Sequence, residues 1–251
     1  SRPFFATNLF KKAQNEVDYG LGRIVIIAPE TLFNQNQDHI HWRNLIDKGS
    51  HSLSLDLTQK QLDILVSYIE QLVRWNKAYN LTAIRDPLDM IKLHVLDSLA
   101  IIAPLSRIHG HRFIDIGTGA GLPGMILAIV CPHLTIHLLD TNGKKTRFLT
   151  QFKHLHQLNN VEVFNQRCEG YFPEKTYDIV LSRAFASITD MLKGCLHLAN
   201  NDGVFVAMKG TYPQQELDAM PANYCLINCE ILEVPGVKAE RHLLTIKKKL
   251  A

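Results

Sequence analysis

The chain has 251 residues and a mass of 28.5 kDa, which is enough for one α/β domain and an appendage. Its 46% hydrophobic and 20% charged residues are typical of a soluble globular protein, and a net charge of +3 permits a nucleic-acid partner without requiring one. Five cysteines without a C-x-x-C pair argue against a disulfide framework and a structural zinc site, and they favour a reducing, cytoplasmic setting. Since no apolar run reaches the roughly 18 residues of a membrane helix, no membrane association is expected.

The composition along the chain predicts an extension, a helical cap and a larger domain. Residues 1–39 are polar and carry no legible function. Residues 40–104 have helical spacing, and residues 105–251 have the pattern of an α/β domain. A short helix is expected over residues 40–47, ended by Gly49 and Ser50.

Two longer helices are predicted in the cap. Thr58 and Gln61 have the spacing of a capping box, and the apolar residues after them fall on one helical face. Asp86 and Pro87 then supply an N-cap and a first-turn proline for a second helix, which is expected to end just before Pro104. Both helices precede the α/β pattern and are expected to pack beside it.

The chemistry is predicted at the stretch FIDIGTGAGLPG, residues 113–124. A β-branched and aromatic strand runs into a turn containing Gly117, Gly119 and Gly121, and an apolar helix follows. Glycines suit such a turn because they accept positive φ and let a ligand approach the backbone. Asp115 stands near the end of the strand, where a structural role would favour an apolar residue. Its carboxylate is expected to face a ligand ammonium group.

A second acid is predicted at the tip of the next strand. Asp140 lies about 20 residues beyond Gly117, where an acid can accept both ribose hydroxyls of a nucleoside. The pattern D-x-G-x-G-x-G with this acid favours S-adenosylmethionine over a dinucleotide, because no basic phosphate-binding residue follows the turn. A NAD-type site is the alternative that the glycine turn alone leaves open.

Strands and helices alternate from Arg112 onward, which indicates a parallel sheet with helices on both faces. The last two strands lie too close in sequence for a parallel crossover, so they must be antiparallel. A mostly parallel, Rossmann-like sheet of seven strands with the last strand antiparallel is the architecture of class I S-adenosylmethionine-dependent methyltransferases. The predicted strands are 112–116, 134–139, 161–166, 177–182, 203–208, 224–234 and 241–248, and the predicted helices among them include 144–158 and 187–199.

Seven stretches carry a more specific resemblance. They are RWNKAYNLTAIRDP (74–87), HVLDS (94–98), FIDIGTGAGLPG (113–124), LLD with GKKTRFL (138–149), LSRAFAS (181–187), AMKG (207–210) and ERHLL (240–244). Together they resemble the bacterial 16S rRNA guanine-N7 methyltransferase G family, also called glucose-inhibited division protein B. The resemblance covers the chain from about residue 45 to its end, and residues before about 40 lie outside it.

The resemblance implies a methyltransferase domain over residues 105–251 that uses S-adenosylmethionine to methylate N7 of a guanine in 16S rRNA. The substrate could be protein-free RNA, an assembly intermediate or the finished small ribosomal subunit, and the sequence does not distinguish these three forms. The implied cofactor contacts are Gly117, Leu122, Cys168, Glu169 and Arg183, to which the residue pattern adds Asp115, Gly119 and Asp140. A small aliphatic residue is usual in the family at position 168, so Cys168 is a departure.

Guanine N7 keeps a lone pair at neutral pH, so its methylation requires alignment with the methyl donor and no general base. Arg183 follows the fourth strand, at the sheet edge where ligands of open α/β folds bind, and is expected to act at the meeting point of cofactor and guanine. Asn80, His94 and Arg241 are predicted to shape the guanine pocket, because they come from the cap and the final hairpin. His94 shares a helix face with Asp97. Neither a metal nor a covalent intermediate is expected.

Basic residues are predicted to contact RNA phosphates, which positions a substrate without reading its sequence. Two readings remain beside the rRNA methyltransferase: an enzyme of the same fold acting on a small molecule or a protein, and a binding module without activity. A monomer is expected. The residues predicted to contact RNA are Lys144, Lys145, Arg147, Lys153, Lys209 and Lys247–Lys249.

Overall fold

The computed structural model describes residues 29–183, 185 and 187–249, and contacts divide the chain into two compact units, Ser1–Ile40 and His41–Ala251. Helix α1 spans Pro29–Ser52, so the short helix predicted over residues 40–47 was wrong in extent. The predicted stop at Gly49 was wrong because this glycine serves close packing. A Cβ at Gly49 would lie 2.6 Å from Leu96 Cδ1. The 1–39 extension falls mostly outside the described residues.

Helix α2 spans Gln59–Tyr79 and begins at the predicted capping box. The Gln61 amide donates to Thr58 Oγ1 at 3.2 Å, and the Thr58 amide donates to Gln61 Oε1 at 2.9 Å. One face of the helix is buried, as the apolar spacing predicts. On that face the Tyr68 hydroxyl donates to the carbonyl of Ala120 at 2.8 Å, so the helix supports the glycine turn directly.

The second predicted cap helix is interrupted. Its pieces are α3 (Pro87–Met90), a π-helical segment (Ile91–Leu96), α4 (Asp97–Leu99) and α5 (Ile102–Leu105). The N-cap is confirmed, since the amides of Leu88 and Asp89 donate to Asp86 Oδ1 at 2.7 and 3.1 Å. The predicted end before Pro104 was wrong, because Pro104 stands within the single turn of α5, where a proline needs no N–H partner.

The sheet has seven strands in the order β3-β2-β1-β4-β5-β7-β6. Among the strands of the described residues, β7 alone runs opposite to the other six, which confirms the predicted class I architecture. The predicted fifth strand began at residue 203, but β5 begins at Ala199, which pairs with Tyr177 beside a register shift. The early part of the strand was not predicted because the sequence Asn-Asn-Asp-Gly has the composition of a turn. The strands are β1 (Arg112–Ile116), β2 (Thr135–Asp140), β3 (Val161–Asn165), β4 (Tyr177–Ser182), β5 (Ala199–Lys209), β6 (Tyr224–Ile231) and β7 (His242–Lys248).

Helices cover the sheet and complete two apolar clusters. One cluster joins the inner faces of the cap helices to residues such as Leu138 and Phe148, and the other includes Ile114 and Leu192. The two predicted helices end earlier than expected, at Leu155 and Cys195, and a short 3-10 turn follows the second. The helices are α6 (Gly124–Val130), α7 (Gly143–Leu155), α8 (Ile188–Cys195) and α9 (Gln214–Asp218).

Candidate active site

The glycine turn after β1 has the conformation that its composition predicts. Gly117 and Gly119 have φ of 65° and 62°, in the left-handed region that favours glycine. The amide of Gly117 donates to the Leu139 carbonyl at 2.8 Å, which ties the turn to the end of β2. A Cβ built on Gly119 would have no neighbour closer than 3.9 Å, so this side of the turn leaves room for a ligand.

Asp115 lies beneath the turn and organises it. Its Oδ2 accepts hydrogen bonds from the Thr118 hydroxyl at 2.6 Å and the Gly124 amide at 2.8 Å. Among the described residues, Asp115 Oδ1 is the single buried side-chain polar atom without a hydrogen-bond partner. Burial raises the pKa of this carboxyl to about 6, against the lowering effect of its hydrogen bonds and of Arg183.

Asp140 connects the turn to the end of β2. Its Oδ2 accepts from the Gly119 amide and its Oδ1 from the Asn142 amide, both at 2.8 Å. Each carboxylate oxygen can accept more than one hydrogen bond, so capacity for a ligand hydroxyl remains. The side chain also borders a cavity at the C-terminal ends of the strands, where ligands of open α/β sheets bind.

This cavity, named here the cofactor cavity, has a volume of about 290 Å³. Its walls come from the ends of β1, β2 and β3, from the segments that follow them, and from the loop after β4. Of the predicted cofactor residues, Gly117, Asp140, Cys168 and Glu169 line it. The remaining lining residues are Ile116, Leu139, Thr141, Lys145, Gln166, Arg167 and Phe185.

A second cavity of about 390 Å³, named here the acceptor cavity, lies between the cap and the end of the sheet. The predicted residues His94, Arg183 and Arg241 all line it. Arg183 and Phe185 belong to the loop after β4 and line the acceptor cavity and the cofactor cavity respectively, so the two cavities share one loop. The remaining lining residues are Ile84, Leu93, Asp97, Met208, Lys209, Gly210, Leu232 and His242.

Asp97 joins two of the arginines at the acceptor cavity. Its side chain is 3% exposed, and its Oδ2 accepts from Arg183 Nη1 at 3.2 Å. Its Oδ1 accepts from Arg241 Nε at 2.8 Å. The helical spacing places Asp97 beside His94 but does not predict this contact, because nothing in local spacing connects a helix to two distant arginines.

His94 is held as a neutral ring. The Thr82 hydroxyl lies 2.9 Å from Nε2, and Nδ1 lies 3.1 Å from the carbonyl of Leu93. A carbonyl only accepts, so Nδ1 carries the proton and the hydroxyl donates to Nε2. Burial, with the nearby charge of Arg183, lowers the pKa of His94 to about 4. His94 therefore forms a fixed, uncharged part of the cavity wall at neutral pH.

Three predicted residues lie apart from the cavities or are engaged elsewhere. Asn80 is the C-cap of α2, and its Oδ1 accepts from Arg85 Nη2 at 2.6 Å. Leu122 is buried, 3% exposed, and does not line the cofactor cavity. Lys209 lines the acceptor cavity, but its ammonium pairs with Glu216 at 2.8 Å, which balances its charge.

The fold brings further residues to the cavities. Phe185 borders the cofactor cavity, as does Lys145, which was predicted only as an RNA contact, whereas Met208 and His242 border the acceptor cavity. Met208 and His242 stand at the C-terminal end of β5 and the start of β7, which pair as antiparallel neighbours. The end of β5 was a readable signal, since strand ends meet at one sheet edge.

Comparison with known proteins identifies the family. The family model described as rRNA small subunit methyltransferase G matches residues 61–244. The chain belongs to this family. It is therefore a methyltransferase whose cofactor is S-adenosylmethionine, as the sequence predicts.

Two relatives illustrate how far the similarity extends. Ribosomal RNA small subunit methyltransferase G of Marinomonas sp. is 49% identical over 81% of this chain and 97% of that protein. The protein of the same name from Alteromonas mediterranea is 46% identical over 85% and 99%. Among solved structures, TrmN from Thermus thermophilus has a TM-score of 0.49 at 19% identity, covering 60% of this chain and 48% of that one, a likeness too distant to carry any argument.

The residues present fit the cofactor. A buried carboxylate oxygen without a partner suits a ligand with positive charge, and S-adenosylmethionine carries an ammonium and a sulfonium. The open side of Gly119 and the carboxylate of Asp140 suit its nucleoside. Within the described part of the chain no group of three or more His, Cys, Asp or Glu could hold a metal ion, and no helix is long and apolar enough to cross a membrane.

Proposed function

We propose that this protein methylates N7 of a guanine in 16S rRNA of the small ribosomal subunit. The observation that carries the proposal is the pair of neighbouring cavities that share the loop of Arg183 and Phe185. One cavity has the features of a nucleoside site at the ends of β1, β2 and β3. The other is large enough to admit a base and is bordered by two guanidinium groups. S-adenosylmethionine, when bound, supplies the electrophilic methyl group.

The residues of the cofactor cavity would bind and orient the methyl donor. Asp140 would accept the ribose hydroxyls, while Gly117 and Gly119 would let the ligand approach the backbone. Cys168 and Glu169 border the same cavity after β3. Asp115 would offset positive charge from beneath the turn, and Leu122 would support the turn from its buried side.

The residues of the acceptor cavity would orient the base without moving a proton. Guanine N7 carries a lone pair at neutral pH, so its methylation needs no general base to remove a proton. A neutral His94 that is hydrogen-bonded to Thr82 agrees with that chemistry. Arg183 and Arg241 are donors, and guanine O6 is an acceptor that arginine commonly reads. Holding O6 would leave N7 exposed to the methyl donor, which is a contribution of orientation.

The RNA would meet a basic surface formed by α7 beside the cofactor cavity. Among the described residues, Lys144, Lys145 and Arg147 have no ion-pair partner, and the Lys144 ammonium lies 5.7 Å from the ring centroid of Tyr79, which is 40% exposed. An exposed aromatic ring beside cations suits single-stranded RNA, whose bases stack. Lys153 is different, since it pairs with Glu162 at 2.9 Å. Lys247 pairs with Asp202, and Lys249 donates to a carbonyl.

We further propose that the protein acts as a monomer in the cytoplasm, where the small subunit is assembled. All five cysteines are unpaired, in keeping with a reducing compartment.

The decisive experiment maps N7-methylguanine on 16S rRNA. RNA from cells lacking the protein is compared with RNA from cells complemented by the wild type or by Arg183→Ala. One guanine should lose its methyl group in the deletion and regain it with the wild type alone. Methylation that is unchanged in the deletion would refute the proposed function.

The docking surface is tested by salt titration of RNA binding. Replacing Lys144, Lys145 and Arg147 with Gln should reduce the slope of log affinity against log salt by about 2, since each lost phosphate contact removes about 0.7. Lys153→Gln is the matched control and should leave the slope unchanged. Equal slopes for the triple variant and the wild type would place RNA elsewhere.

A further inference from the structure

Asp97 stands out among the buried charged groups because each of its oxygens contacts a different arginine. Arg183 comes from the loop after β4, and Arg241 directly precedes β7. The side chains of the two arginines are 30% and 23% exposed, so both reach the acceptor cavity that they line. One buried carboxylate therefore connects three segments that are distant in the sequence.

The energetics of burial explain why such a group would not be retained for packing alone. A carboxylate removed from water loses hydration and is stable only when charged partners and hydrogen bonds replace it. Asp97 has both partners, and they are arginines, whose planar fork makes directional contacts. Without the carboxylate, two like charges would face each other across the cavity and their side chains would lose a common anchor.

The backbone at this point is also unusual. The helix is π-helical over Ile91–Leu96, immediately before Asp97, and such wide turns occur frequently at functional sites. The Asp97 amide bonds the carbonyls of both His94 and Lys92. The position of the carboxylate is thus fixed by its own segment before any arginine contacts it.

We propose that Asp97 is the positioning residue of the acceptor cavity, fixing Arg183 and Arg241 in the orientation that holds the guanine. The inference rests on the proposed function and adds a residue that acts through the two arginines. Its charge has a second effect. The base becomes cationic as N7 is methylated, and one carboxylate between two guanidinium groups lowers the positive potential that opposes this change.

A double-mutant cycle separates positioning from a structural role. Asp97→Asn keeps the shape of the side chain and removes its charge. We expect the single-turnover rate, at saturating RNA and S-adenosylmethionine, to fall about tenfold or more, since small misplacements of reacting groups reduce rates strongly. In the background of Arg183→Ala and Arg241→Ala combined, the same change should reduce the rate no more than about twofold, because the groups that it positions are absent.

Asp178→Asn is the matched control. Asp178 is part-buried near the start of β4, where it accepts from the amides of His111 and Arg112 at 2.7 and 2.9 Å, far along the strand from the cavities. This variant should lower the unfolding temperature and leave the rate of the folded enzyme unchanged. Circular dichroism shows which variants are folded, and Asp97→Glu, which restores the charge, provides a second variant if Asp97→Asn unfolds. We expect Asp97→Glu to recover part of the rate.

Two outcomes would overturn the inference. The first is a wild-type rate for folded Asp97→Asn. The second is a single-turnover rate that falls by the same factor in the wild-type background and in the background without the two arginines. Both presuppose that the wild type methylates guanine N7. Failure of the proposed function would instead appear as absent N7 methylation in the wild type.

Discussion

The cofactor cavity and the acceptor cavity share a loop but are built in different ways. Apart from Phe185 on the shared loop, the first is made by the ends of three adjacent parallel strands and the segments that follow them, so its residues occur in short runs. The second combines the cap, the loop after β4, and the ends of β5, β6 and β7. A contiguous motif reveals the first cavity in the sequence, whereas only the folded chain brings the second together.

The buried carboxylates of the two cavities differ as well. On the cofactor side, Asp115 has one oxygen without a partner among the described residues. On the acceptor side, both oxygens of Asp97 bind arginines. The two buried carboxylates therefore differ in how fully the described residues engage their oxygens.

The largest effect is expected at Arg183, which stands on the shared loop. Arg183→Ala removes a contact to Asp97 and a guanidinium from the acceptor cavity, so the saturated single-turnover rate should fall about a hundredfold. Arg183→Lys should recover little, because lysine lacks the planar fork. If Arg183 only bound the cofactor, the Michaelis constant alone would rise.

The control for Arg183 is Arg107→Ala. Arg107 is an exposed arginine that pairs with Glu230 at 2.8 Å and lines neither cavity. It should retain the wild-type rate. Arg183 Nη1 also donates to the Leu93 carbonyl at 3.3 Å, and a wild-type rate in folded Arg183→Ala would make its contacts with Asp97 and Leu93 purely structural.

The next effect is expected at Asp140 and concerns the cofactor cavity alone. Asp140→Ala removes an acceptor for the ribose and leaves the amides of Gly119 and Asn142 without their partner. Loss of such bonds corresponds to roughly 1.5 to 3 kcal/mol, or about 10- to 100-fold in the dissociation constant of S-adenosylmethionine. Calorimetry measures this constant. Glu162→Ala, an exposed acid on the adjacent strand, should not change it, and equal affinities in both variants would contradict the role of Asp140.

Asp140 and Asp97 show which parts of the two cavities could be predicted from the sequence and which could not. Asp140 was predicted from its position after a strand, since the ends of parallel strands meet at one edge. The antiparallel direction of β7 was also predicted, because the connection from β6 is too short for a parallel crossover, whereas the order of the strands was not. The contact of Asp97 with two arginines was not predicted, because it joins segments whose approach depends on packing of the cap. The interrupted cap helix was missed because a π-helical turn has no recognisable composition.

A smaller effect is expected on stability, through Asp115. Its pKa is raised to about 6 by burial, so between about pH 4 and 6 the folded protein retains a proton that the unfolded chain releases, and stability is lost as pH rises through that range. Asp115→Asn should therefore be more stable than the wild type at pH 8 by on the order of 1 kcal/mol. The gain should vanish near pH 4. The full pKa shift of Asp115 corresponds to about 3 kcal/mol of stability. The expected gain is smaller because the amide group introduced by Asp115→Asn would lack a hydrogen-bond partner where the carboxylate oxygen lacks one now.

Urea unfolding at pH 4, 6 and 8 measures the effect of Asp115→Asn. Asp178→Asn serves as a control of opposite sign: burial acts to raise the pKa of Asp178, but bonds from the Arg112 and His111 amides outweigh it and lower the pKa. That variant should lose stability at pH 8. A difference between Asp115→Asn and the wild type that does not vary with pH would contradict the raised pKa.

The smallest effect is expected at Asn80, which was predicted in the guanine pocket and lies at the end of α2. Its φ of 52° is left-handed, a conformation that costs most residues about 1 kcal/mol and glycine nothing. Asn80→Gly should thus keep the methylation rate within about twofold, since the residue does not line the acceptor cavity. Asn80→Ala should keep the rate as well but lower the unfolding free energy by about 1 kcal/mol. Single-turnover kinetics and urea unfolding on both variants measure this, and a tenfold slower rate in a stable Asn80→Gly would return Asn80 to the guanine pocket.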